Sequence, residues 1–250
     1  MDKLDLWKKA TSLRKYLGED AQSPLDIFAL AHSLDDLTLV FYPMGDRLSG
    51  MCIKNPKSNV IAINSAMSLG RQRFSMAHEL FHLFYDPKMA TTICAQKIGS
   101  GQPIEKEADQ FASYILMPPN TLTEAIQKNK KDTNAKLTVE NVVKLEQFFG
   151  ISRQAILIRL IEEKELTDRE SDSMRRNVIR SARCLGYDDA LYRPLPPEKQ
   201  FMTYGHYIQQ TEKILERELV SEGKYEELLL DAFRSDLVYG DISEGGELVD

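Results

Sequence analysis

The sequence predicts an α+β fold, in which a small sheet packs on helices and a helical region follows. Three observations predict this class. Helical periodicity occurs over residues 4–34 and 65–117, short β-rich runs fall between residues 37 and 64, and the patterns after Pro118 and Pro119 are helical. Because 42% of the 250 residues are hydrophobic, the chain can bury a sizeable core.

The N-terminal part is predicted to begin with two helices and to continue into the sheet. Apolar residues recur at helical spacing over residues 4–17. Ser23 and Pro24 are typical of the N-cap and the first position of a second helix. The runs LTLVFYPM, SGMCIKN and NVIAIN are rich in β-forming residues, and a short turn separates the last two. We expect three strands, of which the last two form a hairpin.

Two longer helices are predicted to follow the sheet. Phe74, Ala77 and Phe81 lie on one apolar stripe within residues 65–85, and Pro87 ends this pattern. After a glycine-containing loop, the run IEKEADQFASYILM predicts a second amphipathic helix, which a pair of prolines closes. We expect the first domain to end near this pair.

The second half of the chain is predicted to be helical. The run TVENVVKLEQFFGISRQAILIRLIEE indicates two helices joined by a tight turn at residues 150–152, a pattern typical of a helix-turn-helix. Further helices are expected over residues 200–219 and 225–238, and the acidic, glycine-containing end is expected to be disordered. We therefore divide the chain into a domain of residues 1–122, a helix-turn-helix-like segment of residues 123–170 and a helical C-terminal extension of residues 171–250.

The composition of the chain argues against several classes of function. A net charge of −6 argues against a general affinity for nucleic-acid phosphates. The chain has no apolar run long enough to span a bilayer, and its charged start is unlike a signal peptide, so we expect a cytoplasmic protein. The three cysteines, Cys52, Cys94 and Cys184, are widely spaced and form no CxxC pair. We expect them to be reduced and mostly structural.

The run HELFH, residues 78–82, carries the strongest chemical signal. Because His78 and His82 are four residues apart on a predicted helix, both imidazoles point to the same side and can reach one cation. Zinc accepts neutral imidazole ligands readily, and Glu79 is positioned to act on a water as general base. Two of the four histidines in the chain fall in this motif, which favours a metal site over a chance occurrence.

A third ligand is predicted on the following helix. The nearest later histidine, His206, is too far along the chain, whereas Glu105 and Asp109 share one helix face and Glu107 points away. We expect Glu105 to be the ligand. Asp109 is placed to accept the other ring N–H of a ligand histidine, and Glu107 is expected at the surface.

The stretches RFSMAHELFHLFYDP and EKEADQFASYILMP resemble the ImmA/IrrE metallopeptidases, whose hallmark is HExxH followed by E-x-x-A-[ND]-x-F-A. The resemblance is close over residues 73–118 and extends more generally over residues 5–120. Phe81 stands where this family commonly has glycine. The resemblance implies a zincin-like metallopeptidase core, followed by the helix-turn-helix-like and helical C-terminal regions.

Carried onto matching positions, the resemblance implies that His78, His82 and Glu105 bind one Zn²⁺ ion and that Glu79 is the catalytic general base. Histidine and carboxylate ligands also tolerate Mn²⁺ or Fe²⁺. The implied activity is that of a zinc metallo-endopeptidase. Its implied partner is a helix-turn-helix repressor of the XRE type encoded nearby, whose cleavage derepresses mobile-element, such as prophage, or stress-response genes.

Several points stay open in the sequence. Tyr85, Tyr114 and His206 are unranked candidates for stabilising the oxyanion. The run NVIAIN is a candidate edge strand for pairing with a peptide. The alternative function is a non-catalytic antirepressor or DNA-associated regulator with a structural metal, although the second helix of the helix-turn-helix offers only Arg153 and Arg159 as cations.

Overall fold

The computed structural model of the protein describes residues 2–87, 91–95, 98–99, 101–130, 132 and 135–240. Within these residues the fold is α+β, with one small sheet packed on helices and a helical second half. The predicted fold class is confirmed. The expected disorder of the acidic end falls on residues outside the described ranges.

The sheet has five described strands in the order β4-β2-β3-β1-β5. β1 and β3 are parallel, and the other three neighbouring pairs are antiparallel. The predicted hairpin is the pair β2–β3, which aligns Gly50 with Ile63. The strands are β1 Leu37–Tyr42, β2 Leu48–Ile53, β3 Asn59–Asn64, β4 Thr91–Ala95 and β5 Met202–Gly205.

Helices supply the rest of the described regular structure. Those of the first half are α1 Lys3–Tyr16, α2 Ile27–His32, α3 Leu69–Tyr85, α4 Pro103–Leu116 and α5 Pro119–Asn129. Those of the second half are α6 Val139–Phe149, α7 Arg153–Glu162, α8 Asp168–Met174, α9 Val178–Cys184, α10 His206–Glu216, α11 Glu222–Asp231 and α12 Ser235–Tyr239.

Helix α3 lies at the centre of the core. It packs against α4 on one side and against β2 and β3 on the other. The ring of Phe81 is fully buried and lies 5.5 Å, centroid to centroid, from that of Phe111 on α4. The bulk at this position therefore fills the space between the two helices. Burial of such an aromatic pair stabilises the packing of α3 against α4 in one relative position.

A buried polar network fixes the connection from β3 into α3. The side-chain amide of Asn64 donates to the carbonyls of Gly45 and Leu48, at 2.7 Å each. The amide of Gln72, on the first turns of α3, donates to the carbonyl of Met67 at 2.6 Å. Because buried amides need partners, this network holds the start of α3 in one position relative to the sheet.

The helix-turn-helix segment packs directly on α3. Gly150 ends α6 in the left-handed region, with φ of 64°. A Cβ on Gly70 of α3 would lie 2.7 Å from the backbone nitrogen of Ser152, so only glycine permits this close approach. The two predicted helices and their turn are confirmed.

The C-terminal part returns to the sheet. Residues 202–205, predicted as the start of a helix, form β5, which pairs antiparallel with β1. Gly205 then turns the chain into α10 with φ of 83°, and a Cβ there would lie 2.3 Å from the Leu37 carbonyl oxygen. The prediction of one helix over residues 200–219 is wrong at its start because main-chain bonds to the open edge of β1 favour a strand.

Other boundaries also differ from prediction. Asp26, rather than Ser23, caps α2 by accepting from the amides of Phe28 and Ala29. Helix α3 begins at Leu69, after a turn, and the helix expected over residues 225–238 is interrupted after Asp231. Strand β4 and helices α5, α8 and α9 were not predicted. The division of the chain at residues 122 and 170 stays a prediction.

Candidate metal centre

Three side chains from α3 and α4 converge at one point. The Nε2 atoms of His78 and His82 are 3.2 Å apart. Glu105 of α4 brings one carboxylate oxygen to 3.3 Å from Nε2 of His78 and the other to 3.5 Å from Nε2 of His82. The structure thus brings together the three residues predicted as ligands.

The outer nitrogens of both imidazoles face carboxylates. Nδ1 of His78 is 2.8 Å from Oδ1 of Asp109, and Nδ1 of His82 is 3.3 Å from Oδ2 of Asp86. Because an ionised carboxylate only accepts hydrogen bonds, each Nδ1 carries the proton. In the neutral tautomer both Nε2 lone pairs then point to the shared centre, as a cation requires.

The spacing of the donors fits a tetrahedral cation. Two ligand atoms bound at about 2.0–2.1 Å with tetrahedral angles lie about 3.4 Å apart. The two Nε2 atoms are 3.2 Å apart, and the distances from them to the two different oxygens of Glu105 are 3.3 and 3.5 Å. Two imidazoles and a carboxylate at these spacings therefore fit a metal ion.

The charges around the centre favour a cation. Burial lowers the pKa of His78, but hydrogen bonds to Asp109 and Glu105 and the charge of Glu79 outweigh it and raise this pKa to about 10. Burial and the neighbouring positive His78 lower the pKa of His82. The site therefore stabilises one positive charge in the absence of metal. A divalent cation at Nε2 would replace that proton.

Glu79 is buried beside the three donors. Its side chain is fully enclosed, and its Oε1 has no hydrogen-bond partner among the described residues. Burial raises its pKa to about 7, against the charge of His78 and a hydrogen bond from Cys94. A carboxylate with a pKa near neutrality can both accept and return a proton. Oε1 is enclosed against Gly50 of β2, whereas Oε2 faces Cys94, which belongs to the same group as the donors.

Sequence reasoning missed three residues of this site. Cys94 on β4 donates from Sγ to Oε2 of Glu79 at 3.4 Å, and no motif pointed to it. Gly50 on β2 leaves the space that Glu79 occupies, since a Cβ there would lie 2.7 Å from Oε1 of Glu79. Asp86 could have been found, because it follows His82 by four residues and caps the C-terminus of α3.

The three oxyanion candidates make contacts elsewhere. The Tyr85 hydroxyl donates to the carbonyl of Lys9, and the Tyr114 ring lies 4.6 Å from the guanidinium of Arg159. His206 directly follows β5, which is at the sheet edge opposite β4, and it hydrogen-bonds the carbonyl of Asp35. Their assignment to the oxyanion is not supported by these contacts.

The expectation that NVIAIN forms an exposed edge is wrong. This run is β3, which lies between β1 and β2 and uses its main-chain groups on both sides. The described edge strand on the side of the cluster is β4, which carries Cys94. A peptide that extends this sheet next to the donors would have to pair with β4.

The two arginines of the second helix in the helix-turn-helix are buried. Arg153 is 4% exposed and binds Glu146, while Arg159 is 1% exposed and hydrogen-bonds Glu163 and Ser113. Neither guanidinium faces solvent, where a nucleic-acid phosphate would approach. Their role in the described structure is to join helices.

A small sheet beside two packed helices, one carrying HExxH and the next a carboxylate, defines the zincin-like class of metallopeptidase fold. A family model described as IrrE N-terminal-like domain, Peptidase_M78, matches residues 36–161, and the chain belongs to this family. The resemblance to ImmA/IrrE proteins is thereby confirmed.

Two relatives carry the name radiation response metalloprotease IrrE. The protein from Deinococcus deserti is 34% identical over 107 residues, which cover 41% of this chain and 37% of the relative. The protein from Deinococcus radiodurans is also 34% identical over 107 residues, covering 41% of this chain and 32% of the relative. The match thus spans about a third of each relative.

Proposed function

We propose that this protein is a zinc-dependent endopeptidase that cleaves a helix-turn-helix transcriptional repressor and so derepresses mobile-element or stress-response genes. In this proposal His78, His82 and Glu105 hold the ion, Glu79 is the general base and Asp109 orients His78. Membership of the IrrE N-terminal-like family supports a metalloprotease. Both relatives are named as metalloproteases.

One observation carries the proposal. The Nε2 atoms of His78 and His82 lie 3.2 Å apart, and the two oxygens of Glu105 lie 3.3 and 3.5 Å from them. The buried Glu79 is next to this group and has an oxygen that lacks a partner among the described residues. A site built only for structural stability has no need of an enclosed carboxylate outside the ligand set. General base catalysis needs such a group.

In the proposed reaction, a bound Zn²⁺ supplies a Lewis acid that polarises the scissile carbonyl and makes water a better nucleophile. Glu79 takes a proton from the attacking water at Oε2, the oxygen that faces Cys94, and the water oxygen bonds to the carbonyl carbon. Glu79 then delivers that proton to the leaving nitrogen as the C–N bond breaks. Asp109 and Asp86 keep the protons of both imidazoles on Nδ1 throughout.

The repressor substrate and the cytoplasmic location are further parts of the proposal. The resemblance to ImmA/IrrE proteins supports a repressor encoded beside the peptidase. No helix in the described part of the chain is long and apolar enough to cross a membrane. We also propose the division at residues 122 and 170, in which the helix-turn-helix-like segment braces the metal helix through Gly70.

The direct test combines purified protein, Zn²⁺ and the helix-turn-helix repressor encoded by the neighbouring gene, with fragments mapped by mass spectrometry. We expect one chelator-sensitive cut. Glu79→Gln should retain zinc and lose at least about 10²-fold in cleavage rate. Glu107→Gln, a change of the same kind outside the donor group, is the control. Undiminished cleavage by Glu79→Gln would refute the proposed mechanism.

A second candidate is a non-catalytic antirepressor or DNA-associated regulator with a structural metal. One observation favours it: Cys94 belongs to the same group as the three proposed ligands, and four protein ligands are typical of structural zinc sites. The burial of Arg153 and Arg159 speaks against the DNA-associated form. Salt-sensitive binding of the promoter of its own operon in a gel-shift experiment would favour this candidate.

A further inference from the structure

Cys94 lies closer to the proposed metal centre than a structural core residue needs to. One ligand atom each from His78, His82, Cys94 and Glu105 can be chosen so that all four lie within 4.8 Å of one another. The thiol is fully buried and donates to Oε2 of Glu79 at 3.4 Å. The sulfur is therefore near both the three donors and the proposed base.

That position is the one that the attacking water requires. A general base must be within hydrogen-bond reach of the proton that it abstracts, and the water must also be near the cation. Sγ of Cys94 is within hydrogen-bond reach of Glu79 and belongs to the same group as the three donors that would hold the cation. Water and sulfur thus compete for the same place.

The geometry also allows direct coordination. A sulfur at about 2.3 Å and a nitrogen at about 2.0–2.1 Å from one tetrahedral zinc lie about 3.6 Å apart. Since every distance in the four-atom group is at most 4.8 Å, a side-chain shift of about 1 Å closes the set. Cys94 is on β4, at the edge of the sheet, where such a shift disturbs one neighbouring strand.

Resting on the proposed metal site, we propose that the Cys94 thiolate is a fourth protein ligand in the resting protein, which is then a latent peptidase until a substrate or other ligand displaces the sulfur. When the S–H bond breaks and sulfur binds the cation, the proton passes to Oε2 of Glu79, its hydrogen-bond acceptor. The sulfur then occupies the position of the attacking water, which makes the resting protein latent. Displacement reverses the step, because the sulfur takes the proton back.

The test uses Co²⁺ in place of zinc in the full-length chain. Tetrahedral Co²⁺ gives visible d–d bands, and a thiolate ligand adds a charge-transfer band in the near ultraviolet. We expect both in the wild type. Cys94→Ser should keep the d–d bands, lose the charge-transfer band and bind the ion at least about tenfold more weakly. Cys184→Ser, at an exposed cysteine, is the control and should match the wild type.

Displacement is tested by adding acetohydroxamate, a small metal-binding probe, to the cobalt protein. We expect the charge-transfer band to disappear while d–d bands remain, and we expect Cys94→Ser to cleave the repressor faster than the wild type. Wild-type d–d bands without charge transfer would overturn the ligand assignment and leave the proposed peptidase intact. A band that persists in acetohydroxamate would overturn latency and favour a structural metal. Absence of tetrahedral d–d bands would reject the metal centre itself.

Discussion

Replacing Asp109 by asparagine tests whether the second carboxylate of α4 orients His78. Oδ1 of Asp109 is 2.8 Å from Nδ1 of His78, and its side chain is 12% exposed, so the hydrogen bond is charge-assisted and little screened. Asparagine keeps an acceptor oxygen but loses the charge that strengthens the imidazole as a donor. The substitution also removes a negative charge that helps to retain a bound cation.

The expected effect is on metal affinity. Removal of a carboxylate that supports a ligand histidine typically costs about 10–100-fold in affinity, equivalent to about 1.4–2.7 kcal/mol. Because His78 is 6% exposed and cannot exchange this partner for bulk water, we expect the upper part of that range. Competition for Zn²⁺ against a chromophoric chelator measures the change.

Glu107→Gln provides the matched control, since it removes one negative charge from the same helix outside the donor group. We expect it to change zinc affinity little. An Asp109→Asn protein that is folded by circular dichroism and binds zinc like the wild type would refute the orienting role. Equal losses in the two variants would show that net charge, rather than the hydrogen bond, matters.

Three further predictions follow from neighbouring contacts. Gly50→Ala should displace the buried carboxylate of Glu79, the proposed base, and slow cleavage while zinc binding is kept, whereas Gly223→Ala, which meets no atom within 4 Å, should do neither. The pKa of His78 is raised to about 10 from its ordinary value of 6.5. Protonated His78 therefore contributes fully to the stability of the metal-free protein below pH 6.5, and this contribution is lost as the pH rises toward 10. Zinc binding at about pH 8 should therefore release about one proton, measured by calorimetry in buffers of different ionisation enthalpy, and no release would contradict this protonation state. Glu146→Gln should lower the free energy of unfolding by about 3–5 kcal/mol in urea, because Arg153 stays buried without its carboxylate; a loss below about 1 kcal/mol would contradict that role.

The helices of the site were predictable because their signals are local. His78 and His82 face the same side through helical periodicity alone, and the same rule separated Glu105 and Asp109 from Glu107. The β2–β3 hairpin was also visible, since β-rich runs and a turn mark it in the sequence. Strand β4 was not predicted, and neither was β5, because a short edge strand is stabilised by a neighbour that is distant in the chain.

The position of Cys94 beside Glu79 could not be found by the same reasoning. It is separated from Glu79 by 15 residues, and no spacing rule links a helix residue to a strand across a loop. The space that Gly50 leaves for Glu79 could not be predicted either. A glycine within a strand indicates that some group approaches closely, but the sequence does not identify that group.

The sequence by itself determined the chemistry that each helix can present: two imidazoles and a carboxylate on α3, and a pair of acids on α4. Their repeat distance is set by the helix, which needs no other part of the chain. Only the tertiary structure decided that α3 and α4 bring these groups to within 3.5 Å, that β3 lies inside the sheet and that a thiol from β4 stands beside the proposed base. Those outcomes depend on packing between segments far apart in the chain, where burial of side chains and pairing of main-chain groups choose the neighbours.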